Sequence, residues 1–198
     1  MRRPRPRSAP DPVTTHAPLR GEAKLRAALS GFEVRVTDRM CLDLGAAAGG
    51  FTRVLLEAGA SRVYAVDAGF GQLLGSLRQD PRVINLEATN VAALDSHLVP
   101  DVIEVVTIDV SYLALAAAVA QLDRITIAPD ADLIGLVKPM FELRLATAPT
   151  DPARVDEATE RAAAGITAAG WEVVGAMPSP VLGGRGAVEA LLHARRSS

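Results

Sequence analysis

Three aspartates and a lysine close the apolar runs of this chain: Asp43, Asp67, Asp109 and Lys138. Carboxylates gathered around an amine can hold a hydroxyl-bearing ligand and move a proton. Lys138 is one of only two lysines, with Lys24, in a chain whose 21 basic residues are otherwise arginines. An ammonium gives up its proton when desolvated, whereas a guanidinium stays charged throughout the accessible pH range. Two lysines in an arginine-rich chain therefore mark a candidate site that needs a neutral amine or a compact ammonium. Codon bias is the competing explanation, and only the positions of the two residues decide between them.

Around Asp43 the sequence reads Asp43-Leu44-Gly45-Ala46-Ala47-Ala48-Gly49-Gly50-Phe51-Thr52. Gly45 permits a tight turn. Gly49 and Gly50 let a ligand approach a helix start, whose free N–H groups favour a carboxylate or phosphate. Asp67 suits a ribose diol, because one carboxylate accepts from both hydroxyls; a cap on the following turn is the alternative role. Together these features indicate a nucleoside-containing cofactor, and the Gly-x-Ala-x-x-Gly spacing leaves a nicotinamide cofactor open.

The elements that must position these residues follow from hydrophobic patterning. Strands are predicted over 39–44, 61–66, 82–86, 102–108, 132–137, 171–177 and 187–193. Helices are predicted over 21–29, 50–58, 72–78, 112–122 and 151–169, the last with Asp151 as a cap and Pro152 in its first turn. Strands that are apolar throughout, alternating with helices, predict an α/β fold with a mostly parallel sheet covered on both faces. The last two strands have only a loop between them and are expected to pair antiparallel at one edge. In such a sheet ligands bind beyond the carboxyl ends of the strands, where the three aspartates and Lys138 fall.

The chain has 198 residues, 49% of them apolar and 22% charged, enough for one domain with one core. No apolar run reaches the roughly 18–20 residues that span a bilayer, and the start has no apolar stretch typical of a secretory signal. The single cysteine, Cys41, fits a reducing compartment. A cytoplasmic protein without membrane association is expected. Residues 1–20 carry a net charge of +4 and the remainder −6. Residues 1–18 are expected to be a disordered basic Pro/Arg arm preceding a single domain over 19–198, and the acidic body argues against a broad phosphate-binding surface. His16, His97 and His193 lack ligand spacing, so no metal site is expected.

The stretch CLDLGAAAGGFTRVLLEAGASRVYAVDAGFGQL resembles the FtsJ-like methyltransferase domain of the hemolysin A (TlyA) family of ribosomal RNA ribose methyltransferases. LRGEAKL, DPRVINLEATN, VTIDVSYLAL, LVKPMFE and SPVLGGRGAVEALL match in the same order, over nearly all of residues 19–193. The resemblance implies a Rossmann-like class I methyltransferase fold with a seven-stranded, mostly parallel sheet and an antiparallel edge strand, and S-adenosylmethionine as cofactor. It places the family's Lys-Asp-Lys-Glu tetrad on Lys24, Asp109, Lys138 and Glu189, using both lysines of the chain. It places cofactor contacts on Asp43, Gly45, Ala46, Gly49, Gly50, Phe51, Asp67, Asn90 and Asp109. The expected chemistry is removal of a ribose 2′-hydroxyl proton by Lys138, oriented by Asp109, with Lys24 and Glu189 positioning the hydroxyl.

The chain departs from the family in three places. Ala47-Ala48 stand where Ser-Thr is usual, Met140 stands where Gln is usual, and about twenty residues precede Leu19-Arg20 where relatives carry a small RNA-binding domain. Three functions follow as expectations: methylation of RNA, rRNA in particular; methylation of a nucleoside or other small molecule; or a non-catalytic binding or cytolytic role. The complete tetrad argues against a dead scaffold, and the absence of an export signal or membrane segment argues against a cytolysin.

Overall fold

The computed structural model describes residues 18–149 and 151–197. The basic arm expected over residues 1–18, and His16 with it, therefore falls outside the described residues except for Pro18. A seven-stranded sheet is formed by β1 (Met40–Leu44), β2 (Arg62–Val66), β3 (Val83–Leu86), β4 (Ile103–Ile108), β5 (Ile127–Val137), β6 (Trp171–Pro178) and β7 (Ala190–Arg196), in the order β3-β2-β1-β4-β5-β7-β6. The first five strands are parallel; β7 runs antiparallel between β5 and β6. The strand order reverses at β1 and β4, the switch point at which such sheets open a crevice.

Helices cover both faces. α1 (Arg20–Gly31), α2 (Gly50–Glu57) and α3 (Gly75–Arg78) lie on one side; α4 (Leu115–Val119), α5 (Pro139–Glu142) and α6 (Pro152–Ala168) complete the set. Period-two alternation sends Cys41 and Val63 into the core beneath α1 and α2, and Leu42, Tyr64 and Leu133 into the core shared with α4 and α6. Burial pushes the Cys41 thiol up to about 12, so it behaves as an apolar core group. Trp171 is buried, with the Arg196 guanidinium over its ring at 5.4 Å.

Three elements begin three residues later than expected, each for a local reason, while β5 begins earlier, at Ile127 rather than 132. α4 starts at Leu115 rather than Tyr112, because Leu115 N–H donates to the buried Glu142 carboxylate (2.5 Å) and residues 112–114 stay outside the helix. The helix expected from 72 begins at Gly75, because the amides of Gln72 and Leu73 donate to Glu87 instead. β7 begins at Ala190, three residues late. A turn closed by Gly183 N–H to Ala187 O (2.8 Å) and Ala187 N–H to Gly184 O (3.2 Å) keeps residues 187–189 in the loop. α6 is capped as expected: Asp151 accepts from Ala153 N–H at 3.0 Å.

Candidate active site

Lys138 directly follows β5 and precedes Pro139, the first residue of α5. A residue before proline is confined to extended backbone, and Lys138 is extended (φ −113°, ψ 105°). Its ammonium is thereby delivered to the end of neighbouring β4. There it pairs with Asp109 Oδ1 at 2.6 Å and donates to the Val110 carbonyl at 2.9 Å and Ser111 Oγ at 3.1 Å. The second lysine comes from the opposite end of the chain. Lys24, on the buried side of α1, pairs with Glu189 at 2.6 Å, with both side chains buried. α1 is held against α2 by a close backbone approach that favours glycine. A Cβ on Gly50 would lie 3.1 Å from Gly21 Cα. The turn before β7 presses on Glu189 similarly, since a Cβ on Gly183 would fall 2.1 Å from Glu189 Oε1. The four tetrad positions thus form two lysine–carboxylate pairs.

At the switch point the crevice has two lobes, of ≈ 230 and ≈ 180 Å³, that meet at Gly45 and Asp109. Gly45 has φ +87°, and a Cβ there would fall 2.6 Å from the Asp109 carbonyl oxygen. It therefore has a backbone reason to be glycine beyond the turn itself. The larger lobe contains Asp67, whose two oxygens accept from Ala47 N–H (2.8 Å) and Gly69 N–H (2.7 Å). The turn-cap role and a cleft-facing role thus coincide in one residue. The smaller lobe is bordered by Ala46, Gly50 and Phe51, where the first N–H groups of α2 lack helical partners.

Three of the expected cofactor residues sit apart from the cleft walls. Asp43 is fully buried, accepting from Thr52 Oγ1 (2.6 Å) and Thr107 Oγ1 (2.9 Å). Burial pushes its carboxyl up to about 6 against the lowering effect of the two hydroxyls. It braces the glycine turn from below. Gly49 (φ +96°) is buried against Leu73 and Leu77, so its lack of a side chain serves packing. Asn90 uses its carbonyl oxygen to accept from Ala92 N–H, while Thr89 and Val91 beside it line the larger lobe.

A further cavity of ≈ 470 Å³ opens on the other side of Lys138. Phe141, Arg185 and Glu189 border it, and Ser111 borders both this cavity and the larger lobe. The Lys138–Asp109 pair therefore stands in the partition between two clefts. Phe141 faces the cavity, whereas its neighbour Glu142 is a buried anchor for α4, its carboxyl raised by that burial. Ser111 and Arg185 are not among the residues that the sequence singles out. The signal for Arg185 was available, as a single cation among Gly183, Gly184 and Gly186. Among the described residues no group of three or more His, Cys, Asp or Glu side chains could hold a metal ion, and no helix is long and apolar enough to cross a membrane.

Comparison with known proteins places this geometry in context. The FtsJ-like methyltransferase family model matches residues 18–196. The chain is 40% identical over 183 residues to a 16S/23S rRNA (cytidine-2′-O)-methyltransferase TlyA of Mycobacterium tuberculosis, covering 89% of this chain and 67% of that protein. It is 32% identical over 184 residues to Hemolysin A of Brachyspira hyodysenteriae, covering 88% and 75% respectively. A solved structure from Streptococcus thermophilus, described as a hemolysin, superposes with a TM-score of 0.84 at 34% identity, over 90% of this chain and 66% of that one. The chain thus spans two thirds to three quarters of the length of these relatives.

Proposed function

The chain belongs to the FtsJ-like methyltransferase family, and on that premise we propose that it transfers the methyl group of S-adenosylmethionine to a ribose 2′-hydroxyl of RNA. When bound, this cofactor supplies an electrophilic sulfonium methyl and leaves as a neutral thioether. The two-lobed crevice fits it. Asp67 faces the lobe that suits a ribose diol, and the start of α2 faces the lobe that suits the carboxylate of an amino-acid moiety. Gly45 and Asp109 line both lobes where they join. Asp43 contributes from beneath, and Gly49 through packing, by fixing the turn that shapes both lobes.

The observation that carries this reading is the position of the Lys138–Asp109 pair between the cofactor crevice and the second cavity. A neutral Lys138 amine retains two N–H donors, which Asp109 and the Val110 carbonyl are placed to hold. Its lone pair then lies along the third contact, made here with Ser111 Oγ at 3.1 Å, and becomes available when the acceptor hydroxyl takes that place. The hydroxyl proton passes to Lys138 Nζ as its oxygen bonds to the methyl carbon. Glu189, fixed by its buried pair with Lys24, borders the acceptor side and holds the hydroxyl in line. RNA as acceptor is supported by what the mycobacterial relative is named to modify.

The test is to label total cellular RNA from methyl-labelled S-adenosylmethionine and digest the product with alkali. A 2′-O-methyl group blocks cleavage of its own linkage, so label in alkali-resistant dinucleotides supports the proposal. Label confined to mononucleotides rules out the ribose hydroxyl. Transfer only to an RNA-free metabolite extract favours a small-molecule acceptor, a reading consistent with the acidic charge of residues 21–198.

A further inference from the structure

We propose that Arg185 binds a backbone phosphate of the acceptor, so that the second cavity takes a nucleotide within a chain rather than a free nucleoside. This rests on the acceptor reading above and narrows it. Three charged residues border the cavity: Lys138, Glu189 and Arg185. Lys138 is matched by Asp109 and Glu189 by Lys24, each pair at 2.6 Å. Arg185 is exposed and has no ion-pair or hydrogen-bond partner among the described residues. The paired charges cancel, and one uncompensated guanidinium is left at the rim, which suits an anion. A guanidinium presents a planar fork of donors matched to phosphate oxygens.

The backbone adds a second argument. Arg185 adopts left-handed geometry (φ 57°, ψ 27°) between Gly184 and Gly186. That conformation costs a non-glycine residue about 1 kcal/mol, and a glycine there would continue the run of glycines around it. The same turn seats Glu189, because Gly183 lies against its carboxylate and Ser179 N–H donates to the Glu189 carbonyl at 3.0 Å. The turn thus holds the rim cation and a tetrad carboxylate in fixed relation. A phosphate on Arg185 would set the ribose beside it against Glu189 and Lys138. The rest of the wall is largely apolar, with Pro139, Met140 and Phe141 offering a surface for a base.

The test is fluorescence anisotropy of a short labelled single-stranded RNA, titrated over a range of salt with full-length wild type, Arg185→Gln and Arg185→Lys. Methyl transfer to the same RNA is read separately. Arg185→Gln is expected to weaken RNA binding about tenfold and to lower the salt slope by about one. Arg185→Lys should retain the slope and recover part of the affinity, and binding of S-adenosylhomocysteine should be unchanged throughout. Equal affinity and equal slope for wild type and Arg185→Gln overturn the assignment while leaving RNA as the acceptor. Failure of wild type to bind the RNA, together with absence of methyl transfer to it, overturns both proposals.

Discussion

Lys24 and Glu189 meet at 2.6 Å as a buried ion pair although 165 residues separate them. The contact ties the first helix to the loop entering the last strand, beside the cavity that Glu189 borders. Two charges taken out of water are stable there only together. Removing one leaves the other buried and unpaired, at a cost of ~3–5 kcal/mol, whereas replacing both with apolar groups of similar volume is often close to neutral.

Lys24→Met or Glu189→Leu alone should therefore destabilise the protein by that amount, measured by urea unfolding. The double variant should recover most of the stability and none of the methyl transfer. Recovery of turnover with stability would mean that the pair serves the fold alone.

Gly45 carries a second expectation. Alanine at this position must adopt φ +87° and bring its Cβ to 2.6 Å from the Asp109 carbonyl. The backbone strain alone costs ~1–2 kcal/mol, and relief requires the Asp109 backbone to shift, which disturbs its pair with Lys138. Gly45→Ala should thus lower the midpoint of thermal unfolding and lower kcat by about a hundredfold, the scale expected for an ångström of misplacement. A kcat near that of wild type would show that the end of β4 tolerates the shift.

Acidification should act on stability in two successive and opposite steps. The Asp43 carboxyl is raised from its ordinary value of 3.8 to about 6 by burial. The folded protein therefore takes up this proton first, and stability rises as pH falls from above 6 toward 4. For Asp132, burial raises the carboxyl, but hydrogen bonds from His193, Arg39 and Arg195 outweigh it and hold it at about 2. Its contribution, ~2 kcal/mol, is complete above the unfolded value and is lost as pH falls from about 4 through 2. Urea unfolding across this range should show both limbs, with Asp43→Asn flattening the first and Asp132→Asn the second. An unchanged pH profile in either variant would remove that residue from the account.

Much of this architecture is legible in the residues. Five parallel strands stand out because strands buried on both faces are apolar throughout, and Asp109 and Lys138 are visible because a charged residue ends each such run. What escapes is set by long-range contacts. Glu189 falls inside the strand predicted over 187–193, and only the Gly183–Gly186 turn, which delays β7, folds the residue back onto Lys24. Asp43 reads as a cleft residue because it ends a strand, yet side-chain alternation turns it inward to Thr52 and Thr107. Ser111 and Arg185 gain meaning only from the two clefts they border, which no local pattern encodes.

The most direct test is methyl transfer to RNA by wild type and by Lys138→Ala, with binding of S-adenosylhomocysteine measured on both proteins. Lys138→Ala should bind the cofactor like wild type while its single-turnover rate falls at least a hundredfold, the lower range for loss of a general base. A rate within a few-fold of wild type at equal cofactor affinity would contradict the assignment of Lys138 as the group that takes the hydroxyl proton.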